Sequence, residues 1–159
     1  MDELLKILKT NALEKPEAIA KMLNLSVEQV KARIAEYEKK GVIRGYQAIV
    51  DEDQLDIDKV TAVIEVKVTP ERGGGFNRIA SRIGRFPEVQ SAYLMSGAYD
   101  LLLFVSGPDL KEVALFVSEK LATIEGVIST STHFMLKTYK HHGVLMEGEN
   151  EDERLQVSP

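Results

Sequence analysis

The sequence of 159 residues contains no cysteine and no tryptophan, and aromatic residues make up only 6% of it. Without cysteine the chain can form neither a disulfide nor a thiolate metal site, and it carries no cysteine nucleophile. No apolar run approaches the ~20 residues that a membrane helix needs. Residues 1–6 are charged and helical in character, so they do not look like a secretory signal. These absences predict a cytoplasmic location and no membrane partner.

Basic residues are in deficit: 20 Lys and Arg stand against 25 Asp and Glu, which gives a formal net charge of −5. Taken as one body, such a chain is a poor partner for nucleic acid. The charge is unevenly distributed, because residues 1–45 hold nine basic and seven acidic residues and carry +2, whereas residues 46–159 carry −7. The sequence therefore has a mildly basic front and an acidic back. Its 44% hydrophobic content suffices for a buried core.

The sequence also lacks the usual signatures of catalytic and metal sites. The triple glycine at 73–75 fits neither phosphate-loop pattern, which favours a flexible connection that leads into a helix. The sequence has three histidines, at positions 133, 141 and 142, and their spacing is not that of zinc ligands. They also lack a convincing nucleophile to activate, so we interpret them as ordinary surface or core histidines. We therefore predict no catalytic residue, no bound metal and no cofactor.

Residues 1–45 are predicted to form three short helices. Apolar residues recur at helical spacing in them, and Pro16 stands where a second helix prefers to start. Ser26 is well placed to cap the third helix, Gln29 completes a capping-box pattern, and Gly41 ends that helix. The short turn between the second and third helices is typical of a helix-turn-helix, so residues 1–45 are a candidate DNA-binding domain.

The third helix carries a polar face opposite its apolar stripe. Gln can bond adenine and Arg can bond guanine bidentately, each pair being worth about 1–3 kcal/mol of discrimination, while lysines hold phosphates. The alternative is a plain three-helix bundle with a solvated face, which Glu28 and Glu36 favour because carboxylates repel phosphate. The predicted DNA-contacting residues are Ser26, Glu28, Gln29, Lys31, Arg33, Lys39 and Lys40, with Ala32 on the same face and Lys6, Lys21 and Arg44 as further phosphate contacts.

The back of the sequence alternates strands and helices. Residues 45–50 alternate like a strand and residues 51–58 are acidic and turn-like, so residues 46–60 are predicted to be a linker strand and turn. Two βαβ units in tandem then imply a ferredoxin-like βαββαβ domain over residues 61–140, with both helices on one face of a four-stranded antiparallel sheet. The chain is therefore expected to be α+β. The predicted strands are 61–68, 89–95, 101–105 and 127–136, and the predicted helices are 76–86 and 109–121.

Such a sheet leaves its second face bare. Residues 101–105 are apolar without a break, which indicates a strand covered on both sides. We therefore expect a second subunit to cover the open face. Residues 147–159 are too polar to pack and are predicted to be a disordered acidic tail.

Residues 96–100, Ser-Gly-Ala-Tyr-Asp, join two apolar strands and place a carboxylate and a phenol among small residues. Taken alone, this run favours ordinary hairpin-turn chemistry over a ligand-binding corner. A second polar stretch, residues 129–132, is rich in hydroxyls, and β-propensity explains it as well as a polar ligand contact does.

Several short motifs occur in one order along the chain. The front half contains Ala18-Ile19-Ala20, Leu25-Ser26, Val30, Arg33-Ile34 and Gly41-Val42-Ile43-Arg44-Gly45-Tyr46. The back half contains Pro87-Glu88-Val89, Gly97-Ala98-Tyr99-Asp100-Leu101, Gly126-Val127 and Thr130-Ser131-Thr132. In this combination the chain resembles the leucine-responsive regulator and asparagine regulator (Lrp/AsnC) family of prokaryotic transcription factors, to about residue 140.

The resemblance implies an N-terminal (winged) helix-turn-helix domain that binds double-stranded promoter DNA. It also implies a C-terminal ferredoxin-like (RAM) domain that forms homodimers, often assembled into octamers or other rings, and that binds amino acids or similar metabolites in clefts between subunits. The family's effector loop maps onto Gly97, Tyr99 and Asp100, with Ser131 and Thr132 as hydroxyl partners. Asp100 is then expected to accept an α-ammonium group, and the N–H groups of Ser96, Gly97 and Ala98 to hold a carboxylate.

Two alternatives remain open at the level of sequence. The first is an interaction module that pairs with a more basic paralogue, which would suit the net acidic charge of this chain. The second is a sirohaem-decarboxylase-like enzyme, since such enzymes resemble the same family. The chain also departs from the family, since residues 12–16 and the outward face of the third helix are only weakly basic. Few phosphate contacts imply a shallow dependence of DNA affinity on salt.

Overall fold

The structure is a computed structural model that describes residues 1–55, 57–70, 72–73 and 75–146. The chain divides into two compact units, which we call the front unit (Met1–Val50) and the back unit (from Asp51). None of the described helices has the length and apolar character needed to cross a membrane. The predicted acidic tail, residues 147–159, lies outside the described residues.

The front unit contains the three helices expected from the sequence: α1 (Glu3–Thr10), α2 (Pro16–Leu23) and α3 (Val27–Lys39). Asp2 caps α1 by accepting a hydrogen bond from the Leu4 N–H group at 2.9 Å. Asn24, in a left-handed conformation with φ of 52°, ends α2 and allows the abrupt turn into α3. The buried core of this unit consists of Leu4, Ile19, Ala20 and Val30, with half-buried residues such as Ile34 at its margin.

The hydroxyl group of Tyr37 on α3 donates a hydrogen bond to the carboxylate of Asp2, which ties the start of α1 to α3. This bond, together with the bond from the Leu4 N–H group, holds the pKa of Asp2 below its ordinary value of 3.8. A carboxyl group whose pKa is lower in the folded state stabilises the fold above its unfolded pKa. That contribution is lost as the pH falls through the folded pKa.

We therefore expect Tyr37→Phe to weaken the pH dependence of front-unit stability below about pH 4, because it removes the largest cause of the Asp2 shift. Thermal unfolding followed by circular dichroism from pH 7 to pH 3 measures this dependence. Tyr46→Phe is the matched control, since the Tyr46 hydroxyl donates to a different carboxylate, Glu38, at 2.9 Å. If stability falls equally steeply with pH in the parent and in Tyr37→Phe, the Asp2–Tyr37 bond does not contribute to the acid sensitivity of the front unit.

The strand predicted over residues 45–50 of the linker does not form, whereas the turn predicted after it contains a short 3-10 helix over Glu52–Gln54. The described residues 41–50 contain no strand, and the first strand starts only at Val60. A strand needs a neighbouring strand to accept its ladder hydrogen bonds, and a single chain offers this segment none. Its apolar side chains instead line a groove in the front unit together with α1, among them Tyr46 and Ile49 opposite Leu5 and Leu8.

The back unit is the predicted ferredoxin-like sandwich. Its sheet has the order β2-β3-β1-β4 with antiparallel neighbours, so that β1 pairs with both β3 and β4. The elements, in chain order, are β1 (Val60–Val68), α4 (Asn77–Ile83), β2 (Val89–Leu94), β3 (Leu101–Gly107), α5 (Leu110–Leu115, continued by a π-helical turn over Phe116–Leu121), β4 (Val127–Phe134), β5 (Lys140–His141) and β6 (Val144–Leu145).

One face of the sheet packs on the helices and the other lies open. Alternate residues of β1 and β3 are buried, and they form a single core with residues of α4 and α5. Leu102 and Phe104 point to the opposite face, where they are half-buried, and Tyr93 packs edge-on against Phe104 with ring centroids 6.2 Å apart. The buried core residues are Ala62, Ile64, Val66, Val68, Ile79, Ile83, Leu101, Leu103, Val105, Val113, Phe116, Leu121 and Ile124.

Candidate functional site

The third helix of the front unit exposes every residue predicted to contact DNA. Ser26, Glu28, Gln29, Lys31, Arg33, Lys39 and Lys40 are all exposed. Val30 of the same helix is fully buried and Ile34 is half-buried against the core. The sequence pattern thus separates the two faces of α3 correctly, and the polar face is accessible to a large partner.

The first turn of α3 is closed by a reciprocal pair of hydrogen bonds. The Ser26 hydroxyl accepts from the Gln29 N–H group at 3.1 Å, and the Gln29 side-chain oxygen accepts from the Ser26 N–H group at 2.8 Å. This capping box stabilises the helix start, and it also occupies the amide oxygen of Gln29. A bidentate contact with adenine requires both the oxygen and the nitrogen of that amide. The amide oxygen keeps a second lone pair, so the cap restricts the orientation of the Gln29 side chain without excluding a base contact.

Two carboxylates shape the charge of the α3 surface. Lys40 forms an ion pair with Glu36 one turn earlier, and this hydrogen bond holds the pKa of Glu36 below its usual range. Hydrogen bonds to its own backbone N–H group and to Ser26 lower the pKa of Glu28, so both carboxyl groups stay charged. Among the described residues, Lys31, Arg33 and Lys39 form no ion pair. These three cations are the best placed for phosphates or base edges.

The loop between β2 and β3 presents Ser96, Gly97 and Ala98 to solvent, while Tyr99 and Asp100 are half-buried. Asp100 is held at three points. Its N–H group donates to the Val66 carbonyl at 3.0 Å and its carbonyl accepts from Met95 at 2.8 Å. Its side-chain Oδ2 accepts from the Val68 N–H group at 2.9 Å.

These bonds fix the direction of the Asp100 carboxylate at the edge of the exposed loop. Strand β1 stops pairing with β3 beyond Val66. There, one oxygen of the Asp100 carboxylate accepts the hydrogen bond of the Val68 N–H group in place of a strand partner. A carboxylate has further acceptor positions, so Asp100 can still receive a cation. Its structural role was not foreseen from the sequence, because the Val68 partner is set by the register between β1 and β3.

Ser131 and Thr132 do not meet the loop within one chain. They lie on β4, which pairs with β1 on the side opposite β3. Two strand spacings of about 4.8 Å separate β3 from β4, roughly 10 Å in all. The two hydroxyls also face opposite sides of the sheet, because Thr132 pairs with the buried Ile64 and Ser131 pairs with Glu65.

Ser131 and His133 form a polar cluster with Glu65 on the open sheet face, a grouping that the sequence did not predict. Ser131 Oγ stands 3.3 Å from His133 Nε2, and that nitrogen lies 3.7 Å from Glu65 Oε1. Both contacts use one ring nitrogen, so the cluster does not form the relay of a hydrolase, in which the two nitrogens have separate partners.

Comparison with known proteins settles the family. Residues 61–145 match the model of the Lrp/AsnC ligand-binding domain. Over 158 residues the chain is 49% identical to YugG, an HTH-type transcriptional regulator of Bacillus subtilis, covering 99% of this chain and 95% of that protein. The chain belongs to the Lrp/AsnC family of transcriptional regulators.

Solved structures of transcriptional regulators share the fold. An AsnC family transcriptional regulator from Agrobacterium tumefaciens is 30% identical with a TM-score of 0.66, covering 89% of this chain and 94% of that one. A transcriptional regulator from Neisseria meningitidis, solved as a complex with L-Met, is 24% identical with a TM-score of 0.68, covering 89% and 93%. The resemblance read from the sequence motifs is thereby confirmed, and the back unit of this Lrp/AsnC protein is a ligand-binding domain.

Proposed function

We propose that this regulator binds a free amino acid at the loop of residues 96–100 and binds promoter DNA through the exposed face of α3. The observation that carries the effector site is Asp100, a carboxylate fixed by its bond to Val68 beside exposed backbone. Such a carboxylate suits an α-ammonium group, and the N–H groups of Ser96, Gly97 and Ala98 suit an α-carboxylate. The L-Met complex of the Neisseria relative supports this ligand class.

The effector site is proposed to lie between two copies of the back unit. Within one chain the loop and the hydroxyls of Ser131 and Thr132 stand on strands separated by β1. Ser131, whose hydroxyl lies on the open face, would therefore contact a ligand at the loop only from a neighbouring subunit. The open sheet face, where the chain itself covers Leu102 and Phe104 only in part, supports a homodimer as the first step of assembly, and dimers then join into an octamer or another ring.

A regulatory role is favoured over an enzymatic one. The relatives that match nearly the whole chain are HTH-type transcriptional regulators, and they give no support to the sirohaem-decarboxylase-like alternative. The proposed site also performs no bond making, since Asp100 acts only as an acceptor. We place this activity in the cytoplasm, where promoter DNA and free amino acids are both available.

The experiment that tests the proposal has two stages. A thermal-shift screen of the twenty amino acids identifies an effector, because a ligand that binds only the folded state raises the melting temperature. DNA binding is then titrated with and without that amino acid, using an operator selected from a random duplex pool. If no amino acid raises the melting temperature, the effector is not an amino acid. If the DNA affinity is equal with and without the effector, the effector does not regulate DNA binding.

Arg33→Ala is expected to weaken binding to the selected operator by about 1–3 kcal/mol, because Arg33 is an exposed cation on the face of α3 that we assign to DNA. Lys111→Ala removes an exposed cation of the back unit and serves as the matched control. Fluorescence anisotropy on the operator and on a scrambled duplex measures both affinities. Equal affinities for Arg33→Ala and the parent would exclude Arg33 from the contacts.

A further inference from the structure

Glu28 stands at the start of α3, the helix that we assign to DNA. It is the second residue of that helix, after Val27, and it is exposed. Lys31 and Ala32, one turn later, are exposed on the same side, whereas Val30 is fully buried. In a helix-turn-helix, the first residues of the second helix lie against the base edges of the major groove. Glu28 is therefore among the residues that can read a base sequence.

The carboxylate of Glu28 is held in place at the helix start. It accepts hydrogen bonds from its own backbone N–H group and from the Ser26 hydroxyl. The same hydroxyl accepts from the Gln29 N–H group at 3.1 Å, so it acts as donor and acceptor together. These bonds lower the pKa of Glu28, which therefore stays ionised and can only accept hydrogen bonds at neutral pH. A carboxylate has further acceptor positions, which remain for a partner.

This arrangement opposes a phosphate contact at the start of α3. The first turn of a helix ordinarily attracts phosphate, because its N–H groups point outward and its dipole favours negative charge. In α3 the chain's own carboxylate occupies this position, and the Ser26 hydroxyl already accepts from the Gln29 N–H group. A phosphate placed there would meet the charge of Glu28 at short range. The base edges are then the DNA groups that Glu28 can bond.

Among the base edges of the major groove, cytosine suits a carboxylate best. Cytosine presents only the N4 amino donor there, whereas adenine places the acceptor N7 beside its amino group, and guanine and thymine present acceptors. A carboxylate has no proton to donate to those acceptors. We propose that Glu28 reads a cytosine of the operator by accepting a hydrogen bond from its N4 amino group. This proposal deepens the proposed binding of promoter DNA through α3 and rests on it.

The test determines the base preference of the full chain at every position of its operator. The parent selects an operator from a random duplex pool, each base pair is then replaced in turn, and fluorescence anisotropy measures each affinity. At one position the parent is expected to favour cytosine by about fivefold or more. Glu28→Gln is expected to move that preference to adenine, because an amide donates to N7 and accepts from the N6 amino group. The other positions are expected to keep their preferences.

Glu17→Gln is the matched control on the protein. Glu17 is exposed and is the second residue of α2, as Glu28 is of α3, so each variant removes one charge from the same helical position. The control is expected to keep the parent's preference at every position. On the DNA, a cytosine analogue that pairs with guanine but lacks the N4 amino group is expected to weaken parent binding about fivefold. The analogue should leave the affinity of Glu28→Ala unchanged.

The results that contradict this role differ from those that contradict DNA binding itself. If the parent selects no operator, the proposed function fails together with the role of Glu28. If the parent selects an operator and Glu28→Gln keeps the same preference at every position, only the role of Glu28 is wrong. Preferences that weaken equally at all positions, with helix lost in circular dichroism, mean that Glu28 serves only the helix start. The cytosine analogue decides the case if Glu28→Gln does not fold, because equal binding of the parent to cytosine and to the analogue at every position overturns the proposal.

Discussion

Replacing Asp100 with asparagine is expected to abolish stabilisation by the amino-acid effector while leaving the stability of the unliganded protein within about 0.5 kcal/mol of the parent. The asparagine side-chain oxygen can still accept the bond that the Val68 N–H group donates at 2.9 Å in the parent. The negative charge that attracts the ammonium group is gone. Thermal shift with and without the effector measures the first effect, and urea unfolding measures the second.

Asp100→Ala separates the two roles of this residue. It removes the acceptor of a half-buried backbone N–H group, and leaving such a donor unpaired costs about 1–3 kcal/mol. The alanine variant should therefore lose both stability and response, whereas the asparagine variant loses only the response. A full effector shift in Asp100→Asn would show that the ammonium group binds elsewhere, even if the alanine variant responds poorly.

Leu103→Ala is expected to lower the unfolding free energy of the back unit by about 2–5 kcal/mol, the usual range for a fully buried leucine. Leu103 lies on the central part of the sheet and belongs to the core formed with α4 and α5. The front unit has a separate core, built from residues of its own three helices. The unfolding transition of the front unit is therefore expected to keep the melting temperature that it has in the parent.

Differential scanning calorimetry resolves this difference if the two units unfold as separate domains. Ile128→Ala is the control, because Ile128 is 66% exposed on β4 and should cost much less than Leu103. We propose that the units fold independently, as the sequence division near residue 45 suggests. A single transition that moves as a whole in Leu103→Ala would contradict that independence.

The sequence could predict the elements whose signals are local. The capping box of Ser26 and Gln29 forms as expected because both partners lie within one helical turn. Alternation in the sequence of β1 indicated its buried face, because the side-chain period of a strand depends on the strand alone, whereas the unbroken apolar run of β3 did not show which of its faces is buried. The predicted linker strand was wrong because pairing needs a second strand, which the alternating pattern of residues 45–50 cannot supply.

The candidate site shows the same limit at the level of single residues. The loop of residues 96–100 could be located from its small residues and its carboxylate. The bond from Val68 to Asp100 could not be foreseen, because it depends on where β3 stops pairing with β1. Likewise Ser131 and Thr132 look like neighbours of one ligand in the sequence, although adjacent residues of a strand point to opposite faces.

We propose that the closed first turn of α3 limits how strictly an operator is recognised. Releasing Gln29 from the capping box loses one hydrogen bond, worth about 0.5–1.5 kcal/mol, while a good bidentate contact with adenine provides about 1–3 kcal/mol of discrimination. The cost subtracts from the gain, so we expect a base facing Gln29 to contribute less to the choice of site than it would with an uncapped glutamine. Promoters under this regulator should therefore share a loose consensus at that position, with the spacing between half-sites fixed by the assembly.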